Sequence, residues 1–393
     1  MAGPLEGLKI LDFTTLLPGP YATLMLTDLG AEVLRVVSGT RLDLTTLLPP
    51  FIGKENISAI LAYLGRGKKS LTLNLKDLRA VKIVHQLLDE YDVVIEQFRP
   101  GVMAKFGLDY PALKERHPGL IYCSLTGYGQ TGPMAPRAGH DINYLARSGL
   151  MAYSGRKETG PVLTGMQIAD IASGSNHSVI GILAAVIHRQ QTGEGQYIDV
   201  AMTDGVMAFN AMVGAAFLAG GQEPERGGHL LNGGSLYDFY ETSDGRYLSF
   251  GGLEPQFFAA FCQAIGRPDL IPGTVVTTDL PKVKEEVREI IRSKTRDEWT
   301  EIFKNYDACL EPVLSLAEAL SDPQVRDRKM VVELPLPGGG TVKQLACPIR
   351  FSTTRPEYGG IGVLAGTHTS EILIKLGYTE DEIGEFEKTG LFQ

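Results

Sequence analysis

The chain has 393 residues, 44 % of them hydrophobic and 21 % charged, with a formal net charge of −9. That length suits two domains and buries large cores without disulfide or metal staples. The acidic balance, with no long run of one sign, argues against nucleic acid as a partner. Four scattered cysteines (Cys123, Cys262, Cys309 and Cys347) include no Cys-x-x-Cys pair, so neither a disulfide framework nor a zinc site is expected. The first residues lack a basic-then-apolar leader, and reduced thiols in a cytoplasmic protein are expected. The most apolar helical stretch, Val179 to Ile187, is too short to span a bilayer, so no membrane is expected.

Taken in chain order, Leu8–Phe13 reads as a strand, and Gly19-Pro20 opens a helix through Leu29. Further strands are expected at Ala31–Val36, Ser70–Leu75, Asp92–Glu96, Leu120–Leu125 and Tyr197–Met202, with a helix at Leu78–Glu90. A long helix is expected after Asp170, from Ser175 to Gln191. Strands alternating with helices imply a parallel sheet in an α/β fold, a large Rossmann-like domain whose ligand sits beyond the carboxyl ends of its strands. The turns Thr14–Pro20 and Thr126–Gly129 lie at such ends. No Gly-x-Gly-x-x-Gly or P-loop fingerprint is present. The texture changes near residue 220, where glycine pairs suggest a linker. Tyr237–Tyr240 and Tyr247–Phe250 flank Ser243-Asp244-Gly245, a hairpin signal, and helices are expected at 255–265 and 282–294. The expected division is a large α/β domain at 1–200, a linker at 201–224, a smaller α+β domain at 225–330, and a C-terminal segment at 331–393 that returns to the large domain.

Three residues stand out chemically. His140 lies in Gly139-His140-Asp141, Asp170 in Ile168-Ala169-Asp170-Ile171, and Glu254 in Gly251-Gly252-Leu253-Glu254-Pro255-Gln256. An imidazole that titrates near neutral pH, with two carboxylates, suits proton transfer. Asp170 also suits a helix cap, Glu254 a helix start and Asp141 a turn or cap. The other histidines read as structural. Arg66 and Arg99, and more weakly Lys105 and Arg137, are candidate phosphate contacts.

The motifs together resemble the family III CoA-transferase superfamily, also called CaiB/BaiF. They comprise Leu5–Asp12, Leu17–Pro20, Asp28–Val33, Gly65–Lys76, Glu96–Val102, Leu125–Pro133 and Gly193–Val200, which between them span much of the chain. The run Val37–Leu42 departs from the glutamate and proline-glycine element that the family commonly carries there. The superfamily holds two chemistries. Most members move CoA between carboxylic acids, and one branch, the α-methylacyl-CoA racemases, inverts the α-carbon of 2-methylacyl thioesters. The resemblance places the shared aspartate at Asp170, the racemase histidine at His140 and the racemase glutamate at Glu254. Transferases usually carry a bulky aromatic where His140 stands.

The resemblance therefore implies an acyl-CoA racemase or epimerase acting on an acyl-CoA thioester. It implies no prosthetic group, CoA being part of the substrate, and an interlocked homodimer with sites between protomers. His140 and Asp170 would act as the two bases, Glu254 would orient the imidazole, and backbone N–H groups at the start of the helix after Asp170 would receive the enolate oxygen. The alternative is a CoA-transferase with Asp170 as nucleophile. A third possibility is a non-catalytic transferase subunit.

Overall fold

The computed structural model describes residues 3–41, 43–277 and 279–393. It divides into two compact units. One comprises Met1–Ser148, Thr164–Phe209 and Asp327–Gln393, and the other Gly149–Leu163 and Asn210–Arg326.

The first unit is built on a six-stranded parallel sheet. Its strands run, edge to edge, Lys69–Thr72, Glu32–Val37, Lys9–Phe13, Val93–Glu96, Ile121–Thr126 and Tyr197–Ala201. Every residue of Val93–Glu96 and Ile121–Thr126 is buried, as expected for central strands covered on both faces. The helix Leu78–Leu87 starts at Asp77, whose Oδ1 accepts the Arg79 N–H at 2.8 Å. It buries Ala80, Ile83, Val84 and Leu87, the one-faced spacing of an amphipathic helix. These side chains share a core with Leu11, Leu71, Val94 and Tyr122, and Ile372, Leu373 and Ile383 of the C-terminal segment complete it. From the first strand the chain works outward to one edge of the sheet, then returns to start the other half at Val93. The order thus reverses between Lys9–Phe13 and Val93–Glu96, where Phe13 and Glu96 stand in register. Parallel sheets bind ligands at this kind of switch point.

Three sequence expectations need correction. Most of the span 201–224 is helical, as Met202–Ala208 and Ala211–Gly220, and the boundary between the units falls at Phe209 and Asn210. The alanine-rich run favours helix, and Gly221, at φ +71°, ends it as a left-handed cap. Residues 149–163 belong to the second unit, not to a domain spanning 1–200. Finally, a π-helical turn at Ile168–Ser175 runs directly into the helix Asn176–Thr192, giving 25 continuous residues that are long and apolar enough to cross a membrane. The apolar stretch Val179 to Ile187 is only its central part. This helix packs on Pro18–Asp28 and on the strands Ile121–Thr126 and Tyr197–Ala201, as a covering helix of the sheet does.

The second unit has a three-stranded antiparallel sheet ordered Leu310–Pro312, Tyr247–Phe250, Asp238–Glu241. The hairpin between its last two strands turns through Gly245 at φ +70°. Its core stacks Phe250 on Phe261, with ring centroids 3.9 Å apart, beside Trp299 and Phe303.

Arg66 holds the first unit to its own C-terminal segment. Its Nε and Nη2 donate to both Asp28 oxygens at 3.0 and 2.6 Å. Its Nη1 donates to Gln344 Oε1 at 3.0 Å and to the Leu345 carbonyl at 2.9 Å. The rings of Tyr63 and Tyr358 lie 5.1 and 4.8 Å from the guanidinium carbon. Arg66 is fully buried, so the expectation that it contacts CoA phosphate is corrected: its donors serve the fold. Truncating one member of a buried ion pair strands the other. Arg66→Ala is therefore expected to destabilise the protein by about 3–5 kcal/mol, read as a lowered midpoint in thermal or urea denaturation.

Candidate active site

At the carboxyl ends of the two central strands, the first unit opens a cavity of about 560 Å³. Its walls come from three segments: Thr15-Leu16 after the first strand, Gln97–Val102 after Val93–Glu96, and Leu125–Gly127 at the end of Ile121–Thr126. Arg41, Arg137, Gly139, His140 and Tyr144 close it.

Buried Asp12 shapes the first wall. Its Oδ1 accepts the Thr14 N–H at 2.8 Å and the Thr14 hydroxyl at 2.5 Å, and its Oδ2 accepts the Thr23 hydroxyl at 2.5 Å. Lys68 is buried beneath, with Nζ 3.8 Å from Asp12 Oδ2 and donating to Pro20 O and Thr23 Oγ1, each at 2.7 Å. Burial drives the Lys68 ammonium down to about 7, against the pull of Asp12. The turn packs so tightly that a Cβ on Gly19 would lie 2.2 Å from the Thr14 Cβ. Leu16 is held at φ +63° with its N–H 3.2 Å from Asp43 Oδ2.

Three arginines line the cavity: Arg41, Arg99 and Arg137. None is engaged by an acidic side chain among the described residues. A guanidinium without a protein carboxylate is free to take phosphate. Of the candidate phosphate contacts read from the sequence, Arg99 and Arg137 are among these three. Lys105 is exposed on the turn Met103–Phe106 and does not line the cavity. Arg41 was missed, because it lies in the run that departs from the family pattern. Its position just past a strand's carboxyl end was the available signal.

His140 is the N-terminal cap residue of the helix Asp141–Arg147, where Asn143 Oδ1 accepts its backbone N–H at 3.0 Å. Its side chain is exposed and lines the cavity. Asp141 joins this helix to the next candidate: its Oδ1 accepts the N–H groups of Ala169 at 2.6 Å and of Asp170 at 3.1 Å. The residue read from sequence as a simple turn former is therefore the strut that ties the His140 and Asp170 segments together. Ser175 fixes the far side of the π-helical turn, donating to Pro18 O at 2.6 Å and to Asp170 O at 3.1 Å. π-helical turns recur at functional sites.

Burial first, and the Asp141 charge second, push the Asp170 carboxyl up to about 6. Its charge, after burial, also raises the Tyr144 phenol, a group lining the cavity; Asp170 itself does not line it. The Tyr144 hydroxyl donates to Gly139 O at 2.5 Å, and a Cβ on Gly127 would meet its ring at 2.3 Å. The N–H groups of Ala169 and Asp170 are taken by Asp141, and that of Ile171 by Gln167 O at 2.9 Å.

Glu254 belongs to the second unit. It is exposed at the start of the helix Pro255–Ala264, just after the strand Tyr247–Phe250, and its charge reaches the Cys309 thiol. Among the described residues no group of three or more His, Cys, Asp or Glu side chains is placed to hold a metal ion.

Comparison with known proteins identifies the scaffold. The family model "CoA-transferase family III" matches residues 5–360. Human succinyl-CoA:glutarate CoA-transferase is 35 % identical over 99 % of this chain and 90 % of its own length. Human alpha-methylacyl-CoA racemase is 33 % identical over 96 % of this chain and 95 % of its own. A solved CaiB/BaiF family protein from Brucella suis matches with a TM-score of 0.83 at 33 % identity, over 96 % of this chain and all of that one. A six-stranded parallel sheet with an arginine-lined cavity at its switch point, and sequence matches along nearly the whole length, place this chain in CoA-transferase family III.

Proposed function

We propose that this protein is an acyl-CoA racemase or epimerase that inverts the α-carbon of a 2-methylacyl-CoA, or a similar 2-substituted acyl-CoA, by two-base proton transfer. The observation that carries this reading is His140. An exposed imidazole lines the arginine-bearing cavity, on a segment that Asp141 ties to the Asp170 backbone. A thioester carbonyl acidifies the α-proton by spreading charge into an enolate. Direct inversion then needs one base on each face of the carbon, and His140 and Asp170 supply the two. The cavity arginines take the CoA phosphates. A carboxyl raised to about 6 is a stronger base than an ordinary aspartate while still ionised at neutral pH.

A second reading keeps its place because a transferase relative is as similar as the racemase. Asp170 would attack the thioester carbonyl and expel CoA thiolate, leaving an acyl anhydride. Returning CoA thiolate would release the acid and leave an aspartyl thioester, from which an acceptor carboxylate takes CoA. That chemistry gives His140 no required role.

The two readings separate on a single-enantiomer 2-methylacyl-CoA incubated with enzyme and free succinate. The racemase yields both enantiomers by chiral chromatography. Transfer of CoA to succinate, with the configuration retained, sinks it. His140→Ala is expected to lower kcat for inversion by about 10²–10⁴-fold.

Asp170 must be ionised to accept a proton, so inversion in the direction it initiates is expected to fall as pH drops through about 6. Because the folded carboxyl titrates above its unfolded value, ionising it opposes folding as pH rises. Asp170→Asn should then be inactive yet melt higher than wild type at pH 8, by about 2 °C.

We also propose that the chain self-associates. Helix Ala211–Gly220 buries none of its residues, and Met212 and Leu218 are 60 % and 86 % exposed. Light scattering is expected to give twice the 42.6 kDa chain mass, and a monomer at micromolar concentration would contradict this.

A further inference from the structure

Glu96 is a buried carboxyl at the switch point that the proposed chemistry does not use. It is 4 % exposed and ends the strand Val93–Glu96, in register with Phe13 on one side and Ser124 on the other. Its Oε2 accepts the Phe98 N–H at 2.7 Å, folding the chain back immediately after the strand. The residues that follow, Gln97 to Pro100, form one wall of the large cavity. Gln97 Oε1 accepts the Gly19 N–H at 3.1 Å, which fastens the loop to the start of Pro18–Asp28. The Arg41 guanidinium lies 5.9 Å from the Phe98 ring centroid. Arg99 lines the large cavity on one side of the loop and a second one, of about 310 Å³, on the other. Glu96 lines that second cavity.

We propose that Glu96 is a positioning residue for CoA: its carboxylate pins the Gln97–Gly101 loop, and through it the Arg99 guanidinium, in the geometry that receives phosphate. This rests on the reading of the large cavity as the CoA site. A carboxylate holds a backbone N–H more strongly than a neutral acid does, because the bond is charge-assisted. Protonating Glu96 loosens the loop without touching the reacting atoms.

The surroundings put that protonation in reach. Burial pushes the Glu96 carboxyl up to about 7, opposed by the Ser124 hydroxyl and the Phe98 N–H and reinforced by the Asp199 charge. On its face of the sheet stand Ser124 and Tyr122 from one strand and Tyr197 and Asp199 from the next. Arg99 and Asp109 share the small cavity. Asp199 is itself held by the Gln130 N–H at 3.0 Å. The folded value lies above that of a free carboxylate, so Glu96 loses its proton only as pH climbs through about 7. CoA affinity should therefore rise with pH across that window.

The test is calorimetric titration of CoA into wild type, Glu96→Gln, Arg99→Ala and the double variant, at pH 6 and pH 8. Glu96→Gln is expected to weaken CoA about five- to tenfold at pH 8. It should flatten the difference between the two pH values, leave kcat at saturating substrate within about twofold, and add nothing on the Arg99→Ala background. Ser124→Ala, which removes a donor to the carboxylate, should move the midpoint of the affinity change to higher pH. It serves as the decisive variant if Glu96→Gln folds poorly. Wild-type affinity in Glu96→Gln, an unmoved midpoint in Ser124→Ala, or full additivity with Arg99→Ala overturns the proposal. If Arg99→Ala itself binds CoA normally, the CoA-site reading fails and this inference with it. If Arg99→Ala weakens CoA and Glu96→Gln does not, only the inference fails.

Discussion

The cavity depends on a carboxyl group that does not line it, that of Asp12. Asp12, one residue before the end of the first strand, is fully buried, and a buried polar group must be hydrogen-bonded. Thr14 and Thr23 donate to it, with Lys68 beside it, and in doing so they fold the Thr14–Pro20 turn back over the strand end. That turn starts the helix Pro18–Asp28 and presents Leu16 to the cavity. Gln97 and Ser175 then fasten to the same helix start, at Gly19 N and Pro18 O. The arginine loop and the Asp170 segment are thus both referenced to one turn, and that turn is referenced to Asp12.

Much of the fold was legible because its strands are central and parallel. Val93–Glu96 and Ile121–Thr126 are apolar runs with no polar face to disguise them, and the helix Leu78–Leu87 shows its buried side at regular spacing. What misled was glycine. Pairs near residue 220 read as linker, although one ends a helix formed by the alanines before it. The π-helical turn at Ile168–Ser175 was invisible for a different reason. Its shape follows from tertiary hydrogen bonds, Asp141 at one end and Ser175 at the other, which no local pattern encodes.

The site was legible in its chemistry and less so in its division of labour. His140, Arg99 and Arg137 line one cavity, which Asp170 does not, while Arg66 is a buried structural cation. Both kinds of arginine look alike in sequence, since neither charge nor neighbours reveal that Asp28 lies opposite one of them. Asp141 shows the converse. A residue read as a local cap joins two segments 28 positions apart.

A carboxylate such as that of Asp170 is chemically competent as a base or as a nucleophile, and the two proposed readings use it in each way. Burial raises it to about 6, which strengthens either role, so the distinction falls on what happens to the α-hydrogen. The most direct measurement is proton NMR of a single-enantiomer 2-methylacyl-CoA with enzyme in D2O. The account predicts loss of the α-proton signal in step with inversion, and no acyl-enzyme trapped by hydroxylamine at Asp170. An α-proton that persists while hydroxylamine captures Asp170 would contradict it.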